Sequence, residues 1–297
     1  TGAIEQARIS GAAETLAQGR CCRVSASEAS EVRIDDFFAA QSRFWRDIYT
    51  GDDVYSRIQR YRKSLVLSWV EQLGLPAGSA VLEVGCGAGL TAVALAQRGL
   101  RVHATDGVPA MVELALEQAA AAGVAEMLDV TRSDAQELPI EDDSFDLVVA
   151  MGLIPWVESP LMVMREMARV LLPGGRLIVS CDNRRRLDHL LDPMWSDRLA
   201  GMRGAVGKRL PSSWRPRAVP DARYHSIHDF NDLLSAAGLG AEKGQTFGFG
   251  PFTFLSRPLL PQRLGVRLHH RMQRAADHGS RVLGRTGAQY IVMARKP

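Results

Sequence analysis

No stretch of this 297-residue sequence is apolar for long enough to cross a bilayer. The longest apolar run, Leu147 to Val157, is interrupted by Gly152 and Pro155 and falls well short of the ~20 residues that a spanning helix needs. Cysteine is scarce: Cys21, Cys22, Cys86 and Cys181 form no C-x-x-C pair and no metal-ligand spacing, which argues against a structural zinc or an iron–sulfur cluster, and no metal is expected. Charge of one sign is not in excess either. The 36 Lys and Arg against 33 Asp and Glu leave a formal charge of +3, and without a recognition motif or a base-reading element that balance gives no reason to expect nucleic acid as a partner. Thr1 to Val24 lacks the basic, apolar and cleavage-site succession of a secretory leader, so the expected location is cytoplasmic.

What is present is the composition of a globular chain with a filled core: 46% apolar residues and 23% charged ones. Residues 1–30, rich in Ala, Gly, Ser and Glu, are expected to form a flexible arm. Residues 31–74 then repeat aromatic and aliphatic residues at helical spacing and predict a cap of two helices, one around Phe37 to Tyr49 and one over Val54 to Leu73. From residue 75 to 297 short apolar strands alternate with helical segments such as Leu90 to Arg98, Pro109 to Ala122 and Leu161 to Leu172, which is the pattern of βαβ units around a mostly parallel sheet. Seven strands are expected, at Ala80–Val84, Val102–Thr105, Leu128–Thr131, Phe145–Met151, Arg176–Cys181, Gln245–Phe252 and Gln289–Ala294. The fold class is therefore α/β, doubly wound, with helices on both faces. Two insertions interrupt it: a basic, Trp-containing stretch at about 182–223, expected to be a lid over the substrate, and a helical one at about 256–285. Ser226 with Asp229 forms a capping-box pattern at the head of the helix from Ile227.

The segment that carries chemistry is Val81-Leu82-Glu83-Val84-Gly85-Cys86-Gly87-Ala88-Gly89. A strand running into a glycine-rich turn lets backbone approach a ligand closely at the carboxyl edge of such a sheet. The spacing is G-x-G-x-G, and Leu90 stands where a dinucleotide fingerprint would place its third glycine. Glu83, two residues before the first glycine, would repel a pyrophosphate but suits a cationic amino acid group. Asp106 closes the second strand where a carboxylate can accept both ribose hydroxyls. Asp134, in Ser133-Asp134-Ala135-Gln136, follows the third strand at a place suited to an adenine amino group.

Together with Leu138-Pro139-Ile140-Glu141-Asp142-Asp143-Ser144-Phe145-Asp146-Leu147-Val148 and the turn Arg169-Val170-Leu171-Leu172-Pro173-Gly174-Gly175, these motifs resemble class I S-adenosylmethionine-dependent methyltransferases of the ubiquinone/menaquinone-biosynthesis type. The resemblance covers about residues 75–181 and, more loosely, 224–240. It implies a Rossmann-like methyltransferase fold and S-adenosyl-L-methionine as cofactor, with S-adenosyl-L-homocysteine as product and no metal. It further implies that Glu83, Gly85, Cys86, Gly87 and Gly89 line the methionine moiety, Asp106 and Gly107 the ribose, and Val108, Met111, Asp134, Ala135 and Gln136 the adenine, with Met151 beside them. Trp45-Arg46-Asp47-Ile48-Tyr49 and Asp53-Val54-Tyr55 resemble magnesium-protoporphyrin methyltransferases, in which such helices cover the cofactor; Tyr49 and Tyr55 are the contacts this implies.

The expected reaction is displacement at the sulfonium methyl by an oxygen of a small-molecule acceptor, with nitrogen or carbon as alternatives, as in secondary-metabolite biosynthesis. Trp45, Leu153, Trp156, Trp195, Trp214 and Tyr224 are the candidate acceptor wall. His225, between the 182–223 insertion and the next helix, is the candidate general base for a hydroxyl acceptor. Four arginines, Arg263, Arg267, Arg271 and Arg274, recur along the second insertion opposite Leu264, Leu268 and Met272, a pattern that predicts a solvated face on a packed helix; His269, His270 and His278 fall on the same segment and are expected to be solvated. A bilayer-touching helix, serving a quinone or lipid acceptor, is the closest rival to that reading. An NAD(P)-dependent oxidoreductase and a non-catalytic binding protein are the others. The oligomeric state is left open.

Overall fold

The computed structural model describes residues 34–192, 222–254 and 257–297. The expected arm at 1–30, most of the expected lid, and with it Trp195 and Trp214, lie outside the described residues.

Three helices precede the sheet: α1 (Ile34–Ala40), α2 (Ser42–Asp47) and α3 (Val54–Leu73). The first expected helix is thus two, with the break at Gln41. Asp53 caps α3, its side chain accepting from the Ser56 amide, and Gly74 at φ 61° ends it. Then come β1 (Ala80–Val84), α4 (Leu90–Ala96), β2 (Arg101–Asp106), α5 (Pro109–Ala121), β3 (Leu128–Arg132), β4 (Phe145–Ala150), a 3-10 turn at Ile154–Trp156, α6 (Pro160–Val170) and β5 (Leu171–Asn183). They are followed by α7 (Leu187–Leu191), β6 (Tyr224–His225), α8 (Ile227–Ala236), β7 (Gly240–Phe247), a small hairpin of β8 (Thr253–Phe254) and β9 (Arg257–Pro258), α9 (Gln262–Asp277), α10 (Leu283–Thr286) and β10 (Gln289–Arg295).

The main path of the sheet runs β3-β2-β1-β4-β5-β10-β7, and the two-residue β6 adds to the end of β5. Strands β1 to β5 are parallel, and β10 runs antiparallel between β5 and β7. The chain order reverses between β1 and β4, which opens a crevice at their carboxyl ends. Period-2 alternation sends Val81, Val102, Leu147 and Ile178 to one face, under α3, α4 and α5, and Leu82, Val84, Val148 and Val179 to the other, under α6 and α8. Each face carries its own buried cluster, so the sheet is covered on both sides.

Two expectations are corrected. The strand placed at Gln245–Phe252 is β7 at Gly240–Phe247: its first residues are exposed at the sheet edge and carry little apolar signal, and Gly248 and Gly250, at φ 82° and 99°, follow its end. The helix of the second insertion keeps Arg263, Arg267, Arg271 and Arg274 exposed as expected, but the face it buries is not the leucine face. α9 buries Gly265, His269 and Gln273 and leaves Leu264 and Leu268 exposed. The reason is polar: it docks on the irregular segment after β7, where the Gly248 amide donates to Gln273 Oε1 at 2.9 Å and Phe249 hydrogen-bonds through its backbone to His269 Nδ1. Burial pushes the His269 imidazole down to about 4, so it packs there uncharged.

Candidate active site

The crevice is a cavity of about 640 Å³, within the range of ordinary ligand sites. Its floor is the turn after β1. Gly85 and Cys86 donate through their amides to the Thr105 carbonyl, at 2.8 and 2.9 Å, and Gly87 donates to Asp106 Oδ2 at 2.8 Å, so the loop is stitched to the end of β2. Gly89, at φ 74°, has no room for a side chain: a Cβ there would stand 2.7 Å from the Ala115 Cβ and 3.0 Å from its Cα. That glycine serves the packing of loop on α5 and does not line the cavity.

Asp106 faces the cavity, and its second oxygen accepts from the Val108 amide at 2.9 Å. These two backbone bonds fix the orientation of the carboxylate at the cavity wall. Asp134, Ala135 and Gln136 form the wall after β3; Asp134 Oδ1 accepts from the Gln136 amide at 2.9 Å, and Gln136 Oε1 accepts from the Ser159 amide at 3.0 Å. Gly107, Val108 and Met111 complete that side, Met151 and Leu153 the end of β4, and Trp45, Tyr49, Tyr55 and Trp156 close the top. The aromatic roof is self-packed: Phe38 meets Trp156 edge-on with ring centres 5.2 Å apart and Trp45 at 5.6 Å.

Four expected residues are not on this wall. Gly89 is one. Glu83 shares the face of Val81 through strand alternation and is buried against α3 and α4, 2% exposed, with Oε2 lacking a partner. Burial pushes its carboxyl up to about 8, against the pull of the Ala92 backbone amide and of Lys63 and Arg62. Tyr224 and His225 sit on β6, beyond the cavity. The Tyr224 ring packs on His189 at 5.1 Å, and the His225 ring lies 5.7 Å from Phe230 with Nδ1 buried and unpartnered. Burial, and then Arg184, lower the His225 pKa.

Other cavity residues escaped the sequence reading. Gln59 and Arg62 reach it from α3, and Asp182 and Gln289 from the paired ends of β5 and β10. Asp182 could have been found, because it stands directly after the expected strand Arg176–Cys181 as Asp106 stands directly after Val102–Thr105. Gln289 could not, since its position depends on which strand pairs antiparallel with β5.

Residues 82–179 match a family model described as a methyltransferase domain. The chain is 35% identical over 138 residues to methyltransferase GfsG of Streptomyces halstedii, covering 46% of this chain and 48% of that one. It is 33% identical over 150 residues to a ubiquinone biosynthesis O-methyltransferase of Xanthomonas axonopodis pv. citri, covering 50% and 60%. Both alignments span less than two thirds of the relative. Among solved structures, magnesium protoporphyrin IX methyltransferase from Synechocystis PCC 6803, determined with bound S-adenosylhomocysteine, superposes with a TM-score of 0.60 over 89% of this chain and 98% of that one, at 16% identity, a likeness of fold.

Proposed function

We propose that this chain, whose residues 82–179 match a methyltransferase domain, is a class I S-adenosylmethionine-dependent methyltransferase that moves a methyl group to a small-molecule acceptor, oxygen first among the acceptor atoms. The observation that carries the reading is the joint placement of the glycine loop, Asp106 and Asp134 on one cavity wall at three successive strand ends. That arrangement fits an adenosyl ligand: small residues where backbone must come close, a carboxylate for vicinal hydroxyls, and a second acid for an amino group. Arg62, which reaches the cavity from α3 with Nη1 2.7 Å from where a Gly152 Cβ would stand, fits the ligand's carboxylate. When bound, S-adenosylmethionine supplies a methyl group on a cationic sulfur with a good leaving group. The residues' own work is to hold both partners in line and to keep water out, which Trp45, Tyr49, Tyr55 and Trp156 do by roofing the cavity.

The test is transfer of label from methyl-labelled S-adenosylmethionine to a panel of phenols, alcohols, amines, carbon acids and quinols. Labelled product is expected from a hydroxyl acceptor; binding of the cofactor without label in any product would leave a binding protein on a methyltransferase scaffold.

A second reading, a membrane-dissolved quinone or lipid acceptor, is favoured by one surface feature. On α9 the apolar Leu264 and Leu268, 48% and 36% exposed, stand among exposed Arg263, Arg267, Arg271 and Arg274, as on helices that lie in a bilayer interface. No described helix is long and apolar enough to cross a membrane. Co-sedimentation with anionic liposomes, lost in a Leu264→Ser, Leu268→Ser variant, would support this reading; absence of binding would remove it.

A further inference from the structure

The cavity has a polar corner that the cofactor residues do not use. β5 runs beyond the end of its neighbour β4, which stops at Ala150 opposite Val179, and carries Asp182 to the cavity wall. Directly across the antiparallel pairing stands Gln289, whose Nε2 donates to Asp182 Oδ1 at 3.0 Å. The other end of that amide, Gln289 Oε1, is buried without a partner, and so is Gln59 Oε1 on α3, which also lines the cavity. The nearby Arg186 is shared with Asp188, which holds it in two bonds of 2.7 Å. The corner therefore presents hydrogen-bond acceptors that call for donors, a carboxylate and two orphan amide oxygens.

We infer that Asp182, steadied by Gln289, is the acceptor-binding and proton-accepting residue of this cavity, and that the acceptor presents an O–H or N–H at the atom to be methylated. The inference rests on the methyltransferase reading and names the substrate chemistry of that same site. As the acceptor's oxygen or nitrogen lone pair forms its bond to the methyl carbon, the carbon–sulfur electron pair returns to sulfur and the acceptor's proton passes to the Asp182 carboxylate; water later removes it. Charge balances, since a cationic sulfonium and a carboxylate give a neutral thioether and a carboxylic acid. The groups around Asp182 suit the task. Burial raises its pKa, while Arg186, the Gln289 amide and Arg62 pull it back. Asp188 and Tyr55 act on it from the following turn and from α3, Cys181 from its own strand and His225 from β6. A carboxylate shifted upward is a better proton acceptor at neutral pH than an ordinary aspartate.

The experiment compares wild type with Asp182→Asn and, as a second variant, Gln289→Leu. S-adenosylhomocysteine affinity by calorimetry serves as control of fold and cofactor site, and should change by less than about threefold in both. In wild type, carbon-13 NMR should show one aspartate carboxyl that titrates above the usual range and disappears in Asp182→Asn. Label should pass to O–H or N–H members of the acceptor panel, with kcat lowered roughly 10²- to 10⁴-fold in Asp182→Asn and the acidic limb of its pH profile lost. Gln289→Leu should mainly raise the acceptor KM. Wild-type turnover and pH profile in Asp182→Asn would overturn the inference, as would label confined to carbon acceptors, or none in the panel, while S-adenosylhomocysteine still binds. Failure of wild type to bind S-adenosylhomocysteine would instead overturn the methyltransferase reading beneath it.

Discussion

Burial pushes the Glu83 carboxyl up to about 8, so the folded protein holds it protonated over a pH range in which the unfolded chain ionises it. Below the ordinary glutamate range both states bind the proton and Glu83 contributes nothing to pH dependence. Between that range and about pH 8 the native state binds more protons than the unfolded one, so stability falls as pH rises; above it both are ionised and the loss is complete. The cost is on the order of a few kcal/mol, with the pull of Lys63 and Arg62 already included. Glu83→Gln keeps the shape and an oxygen for the Ala92 amide but removes the titration. Urea unfolding at pH 5.5, 7 and 8.5 should show wild type losing stability across that series and the variant losing clearly less. Equal slopes in the two proteins would mean that Glu83 is not held protonated.

At the scale of elements, the helices before the sheet are the part whose role most depends on ligand. α1 and α2 pack across α5 and meet the 3-10 turn through Phe37, Phe38 and Trp156, and α3 sends Tyr55, Gln59 and Arg62 into the cavity. Trp45 Nε1 is buried without a partner on the same wall, a donor left unmatched. A ligand would fill the space under this roof, so amide exchange across Phe37 to Tyr61 should slow on adding S-adenosylhomocysteine. Unchanged exchange there, with binding confirmed, would reduce these helices to a static cover. Elements also show where sequence reasoning stops. Strands such as β1 and β4 declare themselves by continuous burial, and α8 by its capping box. α9 declares itself as a helix by its arginine spacing, but not its buried face, which is Gly265, His269 and Gln273, chosen for the hydrogen bonds that an irregular loop needs and not for apolar spacing. Gln289 and Arg62 were silent for a related reason: their place at the cavity is fixed by strand pairing and helix docking, not by local sequence.

For the whole molecule, the glycine turn and the acids at the ends of β2 and β3 were legible because in this topology chain position at a strand's carboxyl end is itself a spatial address. The acceptor side has no such address, since it is assembled from the cap, β5 and β10. The central claim is that the cavity is an adenosylmethionine site organised by Asp106. It is tested most directly by calorimetric titration of S-adenosylhomocysteine and, separately, NAD into wild type and Asp106→Ala. The account predicts one-to-one binding of S-adenosylhomocysteine to wild type, no heat with NAD, and a loss of about 2 to 3 kcal/mol of binding free energy in a folded Asp106→Ala, from charge-assisted bonds to two hydroxyls and from loosening of the Gly87 and Val108 amides. Binding of NAD in place of S-adenosylhomocysteine, or full affinity in Asp106→Ala, would contradict it.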